Sequence, residues 1–167
     1  SGSGSIPKNN NFILNSQHTG VLNSYVVDYD VIRKETREAQ PGMETREQQF
    51  IRLRKRALAI PNVSVIVNDP CLEFWLLLHF VTTNRFFGKC SSVEKQVAMN
   101  MAGYEKTRKF FTKQDQDIYL MLRDKLPEAI ERAERLGQYD EYNTERAVCE
   151  MYQLFNDDFI HQVVIEG

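Results

Sequence analysis

Long apolar runs are absent from this sequence of 167 residues. The longest extends from Phe74 to Val81 and contains His79, and it is far shorter than the roughly 20 residues that a membrane-spanning helix requires. The sequence has no internal repeat, and no low-complexity tract beyond its first five residues. These absences argue against a transmembrane protein, a membrane partner and a repeat array.

An excess of charge of either sign is also missing. The 21 basic and 23 acidic side chains give a net charge of -2, so the chain as a whole is not drawn to nucleic acid or to an anionic membrane. Any contact with a polyanion must therefore be local. Cysteine is scarce: Cys71, Cys90 and Cys149 are odd in number and show no metal-binding spacing, which favours reduced structural thiols in a cytoplasmic protein.

The length suits one hydrophobic core and is short for two domains. Residues 1–5 resemble an artificial linker, and no basic or apolar segment typical of a signal peptide follows them, so we expect the natural N-terminus to be missing. We predict that residues 6–167 form a single domain. Its α/β part covers about 20–82 and its helical part about 90–156.

Strands and helices are predicted to alternate in the first half. Ser24–Val27 and Val63–Val67 are typical of buried strands, and a helix is predicted from Thr45 or Glu44 to Ile60. The residues between the first strand and this helix look like an exposed loop. Asp69 and Pro70 predict an N-cap and a first-turn proline for the next helix. Such alternation favours a parallel sheet flanked by helices, with a ligand crevice at the carboxyl ends of the strands.

The ends of the chain contain weaker signals. Residues 12–14 could form an edge strand or a loop anchor. Helices are predicted in the second half at 93–101, at 104–111, at 118–136 with Gly137 ending the segment, and after a cap at Asn143 or Thr144; a strand is predicted at 162–165.

Three acids are predicted to lie at the crevice. Asp28 and Asp30 follow the first strand, and Glu73 lies in the first turn of an otherwise apolar helix. Carboxylate oxygens at a strand edge suit Mg²⁺ or Mn²⁺ and phosphodiester chemistry. The alternatives are aspartates that cap backbone donors, and a glutamate satisfied by its own helix N-terminus. A buried Glu73 must in any case be paired, bound to metal or placed at a wet helix end. His79, further along that helix, is better explained as a core residue than as a ligand.

Cations that could neutralise a substrate near the acids form three groups. Arg33, Lys34 and Arg37 follow the aspartates, Arg52, Lys55 and Arg56 lie on one helix, and Lys106 and Arg108 lie beside Tyr104. Solvated helix faces are the ordinary explanation of such runs.

Five segments, in this order, resemble the RloB-like family: Val26–Asp30, Asn68–Phe80, Tyr104–Lys106, Ala129–Ala133 and Asn143–Thr144. The resemblance covers the chain from about Tyr25 to Phe155. It implies a TOPRIM-like, Rossmann-like parallel sheet with a Mg²⁺ site, in which Asp28 and Asp30 match the Asp-x-Asp pair. It also implies an ABC- or AAA-type ATPase partner in abortive-infection and restriction-linked gene sets.

One element of the family pattern is missing. The Glu-Gly of the first strand does not occur before Ser24, although the chain ends in Ile165-Glu166-Gly167. Glu166 could return to the site in a rearranged chain, or it could belong to a tail without catalytic meaning.

The leading hypothesis is a Mg²⁺-dependent nuclease of anti-phage defence, with Asp28, Asp30, Glu73 and Glu166 as candidate catalytic residues. The alternatives are a non-catalytic partner domain that binds an ATPase or nucleic acid, and a phosphoryl-transfer module related to topoisomerases. Homo-oligomerisation stays open.

Overall fold

The computed structural model describes residues 13–15, 23–107, 110–111 and 117–155. The strands are β1 (Ile13–Asn15), β2 (Asn23–Asp28), β3 (Val63–Asp69) and β4 (Val148–Cys149). The helices are α1 (Tyr29–Arg37), α2 (Arg46–Leu58), α3 (Glu73–Leu78), α4 (Cys90–Asn100), α5 (Ile118–Leu122) and α6 (Leu126–Leu136), with 3₁₀ turns at Arg123–Lys125 and Glu150–Leu154.

The described strands form one mixed sheet in the order β1-β2-β3-β4. β2 and β3 run parallel, and their register places Val26 beside Ile66 and Asp28 beside Asn68. β1 and β4 pair antiparallel on the two sides of this pair. Among the described strands, the predicted parallel arrangement therefore holds only for the central pair. Residues 13–15 form an edge strand, one of the two alternatives for that segment.

Helices cover both faces of the sheet. The larger core joins Val26 and Ile66 to the apolar sides of α3, α4 and α6. The smaller core lies on the other face, where Tyr29 and Ile32 of α1 pack against Val67. The carboxyl ends of β2 and β3 thus emerge between two helical layers, which is where ligands bind in open α/β sheets.

The prediction of an exposed loop after β2 is wrong for residues 29–37 and holds for residues 38–45. Residues 29–37 form α1, which buries Tyr29 and Ile32 and leaves Lys34 and Arg37 exposed. Two buried side chains three positions apart are enough for one face of a short helix, but they produce a weak periodic signal. The helix prediction after Pro41 is confirmed: Thr45 caps α2, and its hydroxyl and the Gln48 side chain complete a capping box.

The predicted N-cap role of Asp69 is also wrong. Asp69 ends β3, the Asp69–Pro70 peptide is cis, and α3 begins only at Glu73 with Leu72 as its N-cap residue. The Asp69 carboxylate instead binds Arg33, 36 residues away in sequence. A partner so distant along the chain outcompetes the local backbone donors, and local patterns do not reveal it.

The second half confirms some expectations and corrects others. The predicted helix 93–101 is confirmed by α4, whereas residues 104–107 of the next predicted helix are not helical. The predicted segment 118–136 is interrupted at Arg123–Lys125, just before Pro127 in the first turn of α6, and Gly137 ends α6 with φ 76° as expected.

The last predicted helix is instead β4 and a 3₁₀ turn. There the buried Glu150 carboxylate accepts the N–H groups of Val67 at 2.8 Å and Tyr139 at 2.9 Å, so a side chain extends the short β3–β4 ladder. The predicted strand 162–165 lies outside the described residues. None of the helices in the described ranges is long and apolar enough to cross a membrane.

Candidate functional site

The two aspartates meet at the carboxyl edge of the parallel strand pair. Asp28 ends β2, and its Oδ1 accepts the Leu72 N–H at 2.8 Å. Asp30, in the first turn of α1, donates its own N–H to the Pro70 carbonyl at 2.9 Å and accepts the Cys90 N–H on Oδ2 at 3.1 Å. The segment that follows β3 and the start of α4 therefore close around both aspartates. Each keeps a second carboxylate oxygen without a hydrogen-bond donor among the described residues.

Glu73 is buried and forms an ion pair, which is one of the three environments expected for it, the others being a metal ion and a wet helix end. Its Oε1 lies 2.9 Å from Lys106 Nζ, which also lies 2.9 Å from Oε1 of Glu94. The other oxygen, Oε2, is 3.1 Å from Cys90 Sγ. Lys106 therefore neutralises Glu73, and the alternative in which its own helix N-terminus satisfies this glutamate does not account for its contacts.

The acids are close enough to repel one another. Burial is the main cause that raises the pKa of Asp28 from 3.8 to about 6, and the Leu72 N–H opposes the rise. Repulsion from Glu73 and Asp30 raises this pKa further, while Lys106 lowers it. A divalent cation would relieve such repulsion, because it favours the ionised form of both aspartates.

Asn68 is the residue that the sequence did not single out. It lies beside Asp28 in the parallel register and is fully buried, yet neither Oδ1 nor Nδ2 has a hydrogen-bond partner within the described ranges. Buried polar atoms normally have a partner, so an orphaned amide at this edge calls for water or an ion. Two carboxylates and an amide oxygen form a donor set that fits a hard cation such as Mg²⁺.

An arginine clamp joins α1 to the end of β3. Arg33 binds both oxygens of Asp69, at 3.1 and 2.6 Å, and donates to the Thr144 carbonyl at 3.0 Å. Its guanidinium carbon lies 5.1 Å from the ring centroid of Tyr29 and 5.0 Å from that of Phe86. Burial raises the pKa of Asp69, and Arg33 counteracts that rise. Arg33 is therefore already paired within the fold and stabilises the carboxyl edge of the sheet.

A cleft of about 490 Å³ opens beside Asp30. One wall of the cleft is formed by residues of α1 that lie three or four positions apart, and the other wall is formed by the start of α4. The lining residues are Asp30, Arg33, Lys34, Arg37, Glu38, Gly88, Lys89, Cys90 and Ser91. Four of these nine are basic, although the chain as a whole is slightly acidic, so positive charge is concentrated locally at this cleft.

The other predicted site residues lie elsewhere. Arg52 pairs with Glu44 at 3.0 Å and Lys55 with Glu141 at 2.8 Å, on exposed surface. Arg56 is exposed, and none of the three cations lines the cleft. Their role in binding nucleic acid stays a prediction. Glu166 lies outside the described residues, so its role stays a prediction as well.

The prediction of reduced thiols is wrong for two of the three cysteines. Cys71 and Cys90 form a disulfide, 19 residues apart in sequence with Cα atoms 5.6 Å apart, whereas Cys149 is free and buried. The pairing follows from the packing of α4 against α3, which the cysteine spacing does not reveal. The bond ties the segment before α3 to the start of α4 and so supports the Cys90 N–H that holds Asp30.

His79 is a core residue, as predicted. It is buried, its Nδ1 lies 2.9 Å from the Trp75 carbonyl oxygen, and burial lowers its pKa. It takes no part in the acid edge.

Removing the cation from Glu73 tests whether this pair supports the edge. We expect Lys106→Met to lower the free energy of unfolding by about 2 kcal/mol, because it leaves a buried carboxylate unpaired; the loss is smaller than for a fully buried pair because half of Lys106 is exposed. Adding Glu73→Gln to that variant should restore most of the loss. Urea denaturation measures both, and Lys55→Met, which breaks an exposed ion pair, serves as the matched control. Equal effects of Lys106→Met and Lys55→Met would contradict the prediction.

Comparison with known proteins shows the family of this chain. No curated protein and no solved structure shows significant similarity to the chain. The family described as RloB-like protein matches residues 22–157, which include the acid edge, the Arg33 clamp and the cleft. Because this match covers most of the sequence, the chain belongs to the RloB-like family.

Proposed function

We propose that this chain is a metal-dependent phosphodiesterase, a TOPRIM-like nuclease domain that acts in restriction-linked anti-phage defence. The observation that carries the proposal is the meeting of Asp28, Asp30 and the unpartnered Asn68 at one sheet edge, beside a cleft lined by cations. This combination suits a substrate whose phosphate completes the shell of a hard cation. Membership of the RloB-like family supports the biological setting.

Each part of the site has a role in this proposal. Asp28, Asp30 and the amide of Asn68 would hold Mg²⁺ or Mn²⁺. A cation bound there supplies charge stabilisation of the phosphate oxygens and a more acidic water. Glu73, neutralised by Lys106, is not the general base in this proposal, although its charge raises the pKa of Asp28. The cations of the cleft neutralise the substrate backbone.

Cleavage assays on the full chain test the proposal. With Mg²⁺ or Mn²⁺ and labelled DNA and RNA, Asp30→Asn should lower the cleavage rate by about 100-fold or more, because the cation loses a charged ligand. Asp124→Asn is the matched control, since the Asp124 side chain is 85% exposed and remote from the acid edge in sequence. Circular dichroism checks that each variant is folded. Metal-dependent cleavage that survives in Asp30→Asn would refute the assignment.

The Glu73–Lys106 pair favours a second function. An acid that is already neutralised contributes less to a metal centre, as expected of a partner or regulatory domain that binds an ATPase or nucleic acid. This function predicts no metal-dependent cleavage by the chain alone, together with stable co-purification with an ATPase from the native host.

A further inference from the structure

Several cationic side chains of the cleft are not paired with an acid. Arg33 is held by Asp69, but the side chains of Lys34, Arg37 and Lys89 form no ion pair or hydrogen bond among the described residues. Lys34 and Arg37 lie one turn apart on α1, and Lys89 faces them from the residue before α4. Three exposed cations in one concave site exceed the two acids that share it, Asp30 and Glu38. The cleft therefore favours an anionic ligand.

The size of the cleft limits that ligand. A volume of about 490 Å³ is in the range of pockets that take a single drug-sized molecule, such as one nucleotide. A duplex is much larger than this volume and cannot enter the cleft as a whole. The acids are only partly exposed: Asp30 lines the cleft, whereas Asp28 does not, and its Oδ1 accepts the Leu72 N–H. A phosphate that enters the cleft therefore lies beside Asp30.

We infer that the cleft between α1 and the start of α4 admits an unpaired nucleotide, so that the substrate is a single strand or an unpaired end, with its phosphates held by Lys34, Arg37 and Lys89. This inference rests on the proposed phosphodiesterase function and specifies its substrate class. Single-stranded DNA and RNA share the recognised chemistry, a flexible phosphodiester chain. The clamped Arg33 shapes the wall of the cleft between these cations.

Equilibrium binding in EDTA tests the inference separately from catalysis. Fluorescence anisotropy of the full chain would compare single strands of about ten nucleotides, as DNA and as RNA, with a duplex of equal length. We expect the single strands to bind at least about tenfold more tightly than the duplex. The logarithm of the binding constant should fall with the logarithm of salt concentration with a slope of about -2, as three phosphate contacts on a single strand require.

Two triple variants with the same change of charge make the test specific. Lys34→Gln/Arg37→Gln/Lys89→Gln should weaken single-strand binding by about tenfold to 100-fold and bring the salt slope close to zero. The control, Lys95→Gln/Arg123→Gln/Arg135→Gln, removes three exposed cations outside the cleft and should bind like the unchanged chain.

The outcomes separate the inference from the function on which it rests. Tighter binding to the duplex, or equal weakening by both triple variants, would overturn the single-strand inference even if metal-dependent cleavage is observed. Selective single-strand binding that only the cleft variant removes would support it. The same binding pattern without any metal-dependent cleavage would refute the nuclease and leave a single-strand-binding domain.

Discussion

Replacing Arg33 by methionine should lower the free energy of unfolding by about 4 kcal/mol. The Asp69 carboxylate is 3% exposed and accepts hydrogen bonds from Nη1 and Nη2 of Arg33, so the variant leaves a buried charge without its partner. It also removes the hydrogen bond to the Thr144 carbonyl, which ties the segment before β4 to α1. Urea denaturation at neutral pH measures the loss.

The pH dependence of that loss has a defined sign. Burial already raises the pKa of Asp69, and Arg33→Met removes the main opposing influence, so this pKa should rise further. A carboxyl whose pKa is higher in the folded state than in the unfolded state stabilises the fold at low pH, and this contribution is lost as pH rises through the folded-state pKa. The deficit of the variant should therefore be largest at neutral pH and should shrink as the pH approaches 4, the ordinary range for Asp.

Three further variants identify the origin of the effect. Asp69→Asn added to Arg33→Met should recover about half of the lost stability, since no buried charge remains. Arg33→Lys should have a lower free energy of unfolding than the unchanged chain, because lysine cannot bind both carboxylate oxygens as the planar guanidinium does. Arg52→Met breaks an exposed pair with Glu44 and should leave the unfolding midpoint unchanged. A loss for Arg33→Met that is independent of pH would contradict the electrostatic explanation.

The second large effect concerns Asp28, where stability and activity should move in opposite directions. Asp28→Asn should abolish metal-dependent cleavage, with a loss of about 100-fold or more, and at pH 8 it should raise the free energy of unfolding by about 2 kcal/mol. The gain arises because the folded-state pKa of Asp28 is about 6 against an ordinary 3.8. The fold therefore loses stability from this group as pH rises from 3.8 through 6, and an amide does not ionise.

Thermal unfolding with and without Mg²⁺ measures the change of stability and the response to the metal, and a cleavage assay measures the loss of activity. The amide oxygen of the variant can still accept the Leu72 N–H, so the local backbone contact is kept. Mg²⁺ should raise the Tm of the unchanged chain, because a ligand that binds only the folded state stabilises it, and should have little effect on the variant. Asp124→Asn is again the control, with an unchanged Tm and an unchanged response to Mg²⁺. A variant that is less stable at pH 8, or that responds fully to Mg²⁺, would contradict the role of Asp28.

The convergence of the acids was predictable because it depends on local signals. β-Branched runs predict β2 and β3, and parallel neighbours bring their carboxyl ends to the same edge. Asp28, Asp30 and Glu73 follow those ends closely in sequence, so the strand prediction places them together. The position of Glu73 in an apolar segment also implied a partner, although the identity of Lys106 did not follow from it.

Features that depend on distant contacts were not predictable in the same way. Asp69 looks like a helix cap until Arg33 is placed beside it, and Cys71 looks like a core thiol until α4 brings Cys90 next to it. The segment with β4 resembles a helix, but Glu150 binds the backbone of β3 and stabilises another conformation. In each case a partner far away in sequence competes successfully with local preference.

The sequence by itself determined which strands end in acids, that Glu73 needs a partner, and the family that the chain resembles, because apolar pattern and motif order are read along the chain without knowledge of distant contacts. Only the tertiary structure decided which cationic side chains are used in ion pairs within the fold and which remain exposed to a ligand. Folding uses Arg33 to neutralise Asp69 and Lys106 to neutralise Glu73, since unpaired buried carboxylates are costly. It leaves Lys34, Arg37 and Lys89 exposed around the cleft, where the unneutralised charge can attract a phosphate.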